Sequence, residues 1–143
     1  MNKFTALLRG SQEVPPVRTN ARGTFLARVS KDGRRLWFIL VVRDIRNAFA
    51  GHIHLGRRGV NGPIVAFLFG NLRIPISARR KIFIGTITRK DLIGPLRGKP
   101  LRALIRQMRN GKTYVNVHTT QHPNGEIRGQ ICHRRSQTDS LYR

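Results

Sequence analysis

Acidic side chains are nearly missing. Six Asp and Glu stand against 28 Lys and Arg in 143 residues, a formal charge of +22. So few carboxylates, spread along the chain, exclude an oxygen cage for calcium or magnesium and leave no pair for general acid–base work at a cleft. A lone cysteine, Cys132, excludes an internal disulfide, and it reads as a small buried apolar residue rather than a reactive thiol. Aromatic residues are only 7%, and no reading helix or stacking platform is visible, which argues against sequence-specific nucleic-acid recognition. No apolar run approaches the roughly 20 residues of a membrane-spanning helix. The opening "MNKFTALLRGSQEVPPV" has an apolar stretch too short for a secretory core segment.

Arginine dominates the rest, with 22 Arg to 6 Lys. Guanidinium is planar, always charged and matched to phosphate or carboxylate. An excess this large goes beyond what solubility needs and points to an anionic polymer or an acidic protein assembly as partner. A spore or cell-surface layer is one such setting. Arg57, Arg58, Arg102, Arg106, Arg109, Arg134 and Arg135 are the candidate contacts.

The length suggests a single domain, residues 4–133, followed by a basic tail, 134–143. Strand patterns run over 23–30, 35–45, 50–55, 63–70, 80–88, 112–120 and 125–133. Asp32-Gly33 and Asn124-Gly125 are hairpin turns. The apolar "PIVAFLFG" (63–70) reads as buried on both faces. "TRKDLIG" (88–94) reads as a helical turn capped by Thr88. One helix is expected after Pro100, with Leu101, Leu104, Ile105 and Met108 on its buried face and Gly111 past its end. The sum is an antiparallel Greek-key sandwich or barrel with one late helix. The tail is either a flexible arm or a strand offered to another copy, which leaves a homo-oligomer open.

"AGHIHL" (50–55) raises the chemical question. Alternation places His52 and His54 on one face, about 6.5–7 Å apart at Cα. His118 shares a face with Tyr114 and Asn116 on a later strand, away from Val115 and Val117. Three imidazoles suit copper, zinc or nickel and leave a fourth position open. His122, in the following turn, is available as that fourth ligand, whereas His133 reads as exposed. The alternative is that these histidines only hydrogen-bond loops such as "GRRGVNGP". Glu126 and Arg128 alternate onto one face of the last strand. They read as a polar or salt-bridged row, or as groups that orient a ligand or draw in an anion.

Three segments, "LLRGSQEVPPVRTNARGTF" (7–25), "AGHIHLGRRGVNGPIVAFL" (50–68) and "GKTYVNVHTTQHPNGEIRGQI" (111–131), together resemble the CHRD domain family. The resemblance implies an immunoglobulin-like β-barrel and a non-enzymatic structural or binding module. The order His-x-His, Gly-rich loop, Val-His, then Gly-x-x-Arg-Gly is also similar to Cu/Zn superoxide dismutase. That second likeness implies one copper ion on His52, His54 and His118, with Arg128 as anion guide, and a copper-dependent redox protein as the alternative. No further histidine lies between His54 and His118 to bridge a second metal.

Overall fold

Asp32-Gly33 turns the chain between β2 (Arg22–Val29) and β3 (Leu36–Leu55) in the computed structural model, which describes residues 3–134. Gly33 takes a φ of 73° there, and the Ser30 hydroxyl donates to Asp32 Oδ1 at 2.6 Å. The other elements are β1 (Lys3–Arg9), β4 (Ile64–Gly70), β5 (Ile76–Ile87), α1 (Leu101–Arg109), β6 (Thr113–Thr119), β7 (Ile127–Gln130) and β8 (Cys132–Arg134).

The order β2-β1-β7-β6-β3 closes on itself because β3 also pairs with β2. The result is a closed five-stranded antiparallel barrel with extra strands and one helix. Closure depends on the length of β3. Its first half lies between β2 and β5, its second half between β6 and β4. The sequence pattern predicts two strands here, 35–45 and 50–55; the structure joins them into one. Asp44 (φ 52°) and Asn47 (φ 55°) take left-handed backbone at the join, beside a bulge between Ile45 and Ala48. Asp and Asn tolerate that region, so the strand turns a corner without ending.

Two further differences concern the ends. "KFTALLR" forms β1, a strand that the sequence pattern does not predict. The last predicted strand divides into β7 and β8, and β8 folds onto β1 of the same chain, Thr5 opposite Cys132. Cys132 is exposed, not buried, because β8 lies outside the core. Tail residues beyond Arg134, including Arg135, lie outside the described residues.

The core runs through the barrel and includes Phe25, Leu40, Ile53, Val115, Val117 and Ile127, all fully buried. α1 adds Leu101, Leu104, Ile105 and Met108, at the predicted spacing. A nine-residue helix is marginal alone, so this packing holds it. The predicted turn after Thr88 is a 3₁₀ turn, where Asp91 accepts from the Thr88 N–H at 2.8 Å. β4 buries Val65, Ala66, Leu68 and Phe69 but leaves Phe67 partly exposed. No helix among the described residues is long and apolar enough to cross a membrane.

Candidate metal centre

Strand register builds the site on the sheet face opposite the core. His54 lies opposite Tyr114, His52 opposite Asn116, and Asn116 in turn opposite Arg128. His118 sits opposite Ala50. The valines of β6 take the core, as alternation predicts. Yet the histidines are buried too, at 5%, 7% and 8% exposure for His52, His54 and His118. Hydrogen bonds tie loop 56–63 to this face and to segment 10–19.

Asn61 Nδ2 donates to Val14 O at 2.9 Å, Arg58 Nη1 to Gln12 Oε1 at 3.1 Å, and the Gly62 N–H to the Tyr114 hydroxyl at 3.0 Å. Gly62 approaches so closely that an added Cβ would strike Leu55 O. Only glycine fits at that position.

One ligand atom from each of His52, His54 and His118 lies within 4.8 Å of the others. His122 is not in this group. It serves through its backbone, whose C=O accepts from the Thr119 and Gly125 N–H groups. His133 is exposed on β8, beside Phe4.

The hydrogen bonds assign the tautomers. His54 Nδ1 faces Gly62 O at 2.9 Å, and His118 Nδ1 faces Pro123 O at 2.8 Å. A carbonyl only accepts, so both Nδ1 atoms carry the proton and both Nε2 atoms are bare. His118 Nε2 then accepts from His52 Nδ1 at 3.0 Å, which leaves His52 Nε2 bare as well. His52 Nε2 and His54 Nε2 are buried without a partner. Asn116 Oδ1, a further acceptor, lies 3.0 Å from His118 Nε2. The buried Glu13 carboxyl lies near this amide, which lowers its pKa against the larger rise from burial.

Lone pairs therefore converge with too few protons between them. An imidazolium at His118 would satisfy both of its oxygen neighbours, but burial pushes its proton affinity down. Burial does the same to His54, against the Gly62 carbonyl. His52 is pushed down to about 3, first by burial and then by the charges its two neighbours would carry. The cluster favours neutral rings with their nitrogens exposed to one another, the state a metal ion requires.

Arg128 is bound into the loop above this face. It is 1% exposed. Nη1 donates to Asn61 Oδ1 at 3.1 Å, and Nη2 donates to Arg57 O at 3.1 Å and Val60 O at 2.8 Å. Its Cζ lies 3.4 Å from the centroid of Tyr114, whose ring stacks on His54. The guanidinium thus pins the loop over the histidines. It does not form the expected row with Glu126. Glu126 accepts from Thr19, Thr119 and Gln121 at 2.7, 2.8 and 2.9 Å, bracing the turn after His118.

Sequence reasoning missed Glu13, and placed Asn116 and Tyr114 on the face of His118 without giving them a role. Glu13 is 5% exposed, and burial raises its pKa to about 7 against the pull of Arg128 and Asn116. Gly125 (φ 123°) leaves room for it, since a Cβ there would strike Glu13 Oε2. With a folded pKa above the unfolded value of 4.5, the carboxyl holds its proton longer in the native state. The stability this gives is complete below pH 4.5 and is lost as pH rises through about 7. At about 1.4 kcal/mol per unit, ionising the buried group costs on the order of 3 kcal/mol at pH 8. Glu13→Gln mimics the neutral form. It is expected to raise the urea midpoint at pH 8 and to leave it unchanged near pH 4.5.

A family model described as the CHRD domain matches residues 4–131. No curated protein and no solved structure matches the chain.

Proposed function

The chain belongs to the CHRD domain family, and on that footing we propose that this β-barrel binding module holds one copper ion between His52, His54 and His118. The carrying observation is the pair of buried, partnerless Nε2 atoms on His52 and His54, beside a bare His118 Nε2. The Gly62 and Pro123 carbonyls supply the outer contacts that orient metal-binding imidazoles and fix which nitrogen is bare. Copper bound there would supply a redox-active, Lewis-acidic centre. Asn116 presents its oxygen to the same space.

The redox-enzyme alternative needs an open approach and a cation free to meet its substrate. Phe67 stands edge-on to His52 at a centroid distance of 4.3 Å, and the donors of Arg128 are engaged by the loop. Both features favour holding the ion over turning over a substrate. Titration with Cu(II) followed by electron paramagnetic resonance tests the proposal. A nitrogen-ligated signal should saturate at one equivalent; the same spectrum in His52→Ala and His118→Ala would remove it.

A second reading, docking on an anionic polymer or acidic assembly, is supported by the +22 charge and by the exposure of Arg57, Arg58, Arg102, Arg106, Arg109 and Arg134. Binding to heparin should weaken steeply between low and physiological salt, through counterion release. A flat salt dependence would count against it.

A further inference from the structure

At the opposite end of β3 from the histidines, three separate segments meet around a cleft of about 900 Å³. The β2–β3 hairpin brings Arg34 and Arg35, the 3₁₀ turn brings Arg89 and Lys90, and the start of α1 brings Arg102. Five cationic side chains thus line one concavity, of a size that encloses a small ligand.

Two carboxylates, Asp32 in the lining and Asp91 on the 3₁₀ turn, offset this charge only in part, and three positive charges remain in excess. Asp32 accepts from the Ser30 hydroxyl and the Arg34 N–H, and Asp91 accepts from Thr88. Arg89 is held in place, its Nη2 donating to Gly98 O at 3.0 Å. α1 begins at the same wall with no side-chain cap and no acidic residue in its first turn. Its amide donors and the positive end of its dipole therefore add to the cations.

We propose that this cleft binds a chain of linked phosphates. The idea rests on the polyanion reading for its chemistry but commits to one place on the molecule. Several separated cations match several linked anions better than a single one. No aromatic side chain lines the cleft, so nothing there would stack on a nucleobase. The ligand is recognised through its phosphates alone.

The test compares two triple variants that remove equal charge. Arg34→Gln/Arg35→Gln/Arg102→Gln empties the cleft of three cations. The hairpin bonds of residues 34 and 35 come from their backbone N–H groups, so these survive. Arg43→Gln/Arg79→Gln/Arg80→Gln removes three exposed cations elsewhere on the surface. Binding of tripolyphosphate, orthophosphate and a single-stranded oligonucleotide is measured by calorimetry at physiological salt, and again at low salt.

The expected result is tripolyphosphate binding at least about tenfold tighter than orthophosphate, weakened about tenfold or more in the cleft variant alone. Equal losses in both variants would overturn the cleft and leave the diffuse surface reading standing. No tripolyphosphate binding even at low salt would overturn both. Oligonucleotide binding tighter than that of tripolyphosphate, lost in the cleft variant, would overturn the choice of ligand.

Discussion

His118→Ala should weaken Cu(II) binding by at least about 100-fold, because changes that merely misorient a ligating histidine already cost about 10–100-fold. His118 is the junction of the cluster: Nε2 meets both His52 Nδ1 and Asn116 Oδ1, while Nδ1 is anchored on Pro123 O. Removing it takes away a ligand and also frees the His52 ring. His122→Ala should leave affinity unchanged, since the role of His122 is carried by its backbone. Thermal unfolding supplies a second readout. Copper at 100 times its dissociation constant should stabilise the wild-type protein by about 2.7 kcal/mol, an increment absent from His118→Ala. Equal stabilisation of both proteins by copper would place the ion elsewhere.

The barrel was legible because its information is local. Strand patterns located β2, β4, β5 and β6, with β4 read from its apolar run rather than from alternation, and the helical spacing of Leu101, Leu104, Ile105 and Met108 located α1. The corner in β3 was not legible as a continuation. Asp44 and Asn47 resemble strand-ending residues, and only pairing with Ala78 and Thr119, far along the chain, shows that the ladder goes on. β1 was missed for a similar reason, since its partners are β2, β7 and β8, none adjacent to it in a short hairpin.

The histidine trio was legible for a different reason. Alternation fixes the faces of His52, His54 and His118 whatever the loops do. What lies over that face was not legible, since it depends on segment 10–19 meeting residues about 100 positions away. One signal was available. In a chain with six acids, Glu13 stands in the nearly uncharged "SQEVPPV", where a carboxylate has no local partner. The burial of Arg128 was not legible, because in sequence it is one cation among 28. Burial, which decides its role, is set by the loop it pins.

Arg128→Met should be the most destabilising single change on this face, by about 3–5 kcal/mol. Three acceptors, Asn61 Oδ1, Arg57 O and Val60 O, lose their donor, and Tyr114 loses the cation on its ring. A buried acceptor left unsatisfied costs about 1–3 kcal/mol, so partial rehydration of the loop brings the sum into that range. Arg128→Lys keeps the charge but cannot span three acceptors with one fixed fork, so it should recover only part of the loss. Glu13 makes the effect depend on its own charge. With Arg128 gone, the ionised carboxylate loses the cation that lowered its pKa. Adding Glu13→Gln to Arg128→Met should therefore restore about 1–2 kcal/mol at pH 8 beyond its effect in the wild-type background, a coupling within the range for contacting residues. At pH 4.5 the carboxyl is already neutral and that coupling should vanish. Urea unfolding of the four proteins at both values measures it. A coupling of equal size at the two pH values would mean that Arg128 acts on the loop alone and that Glu13 plays no part in holding it.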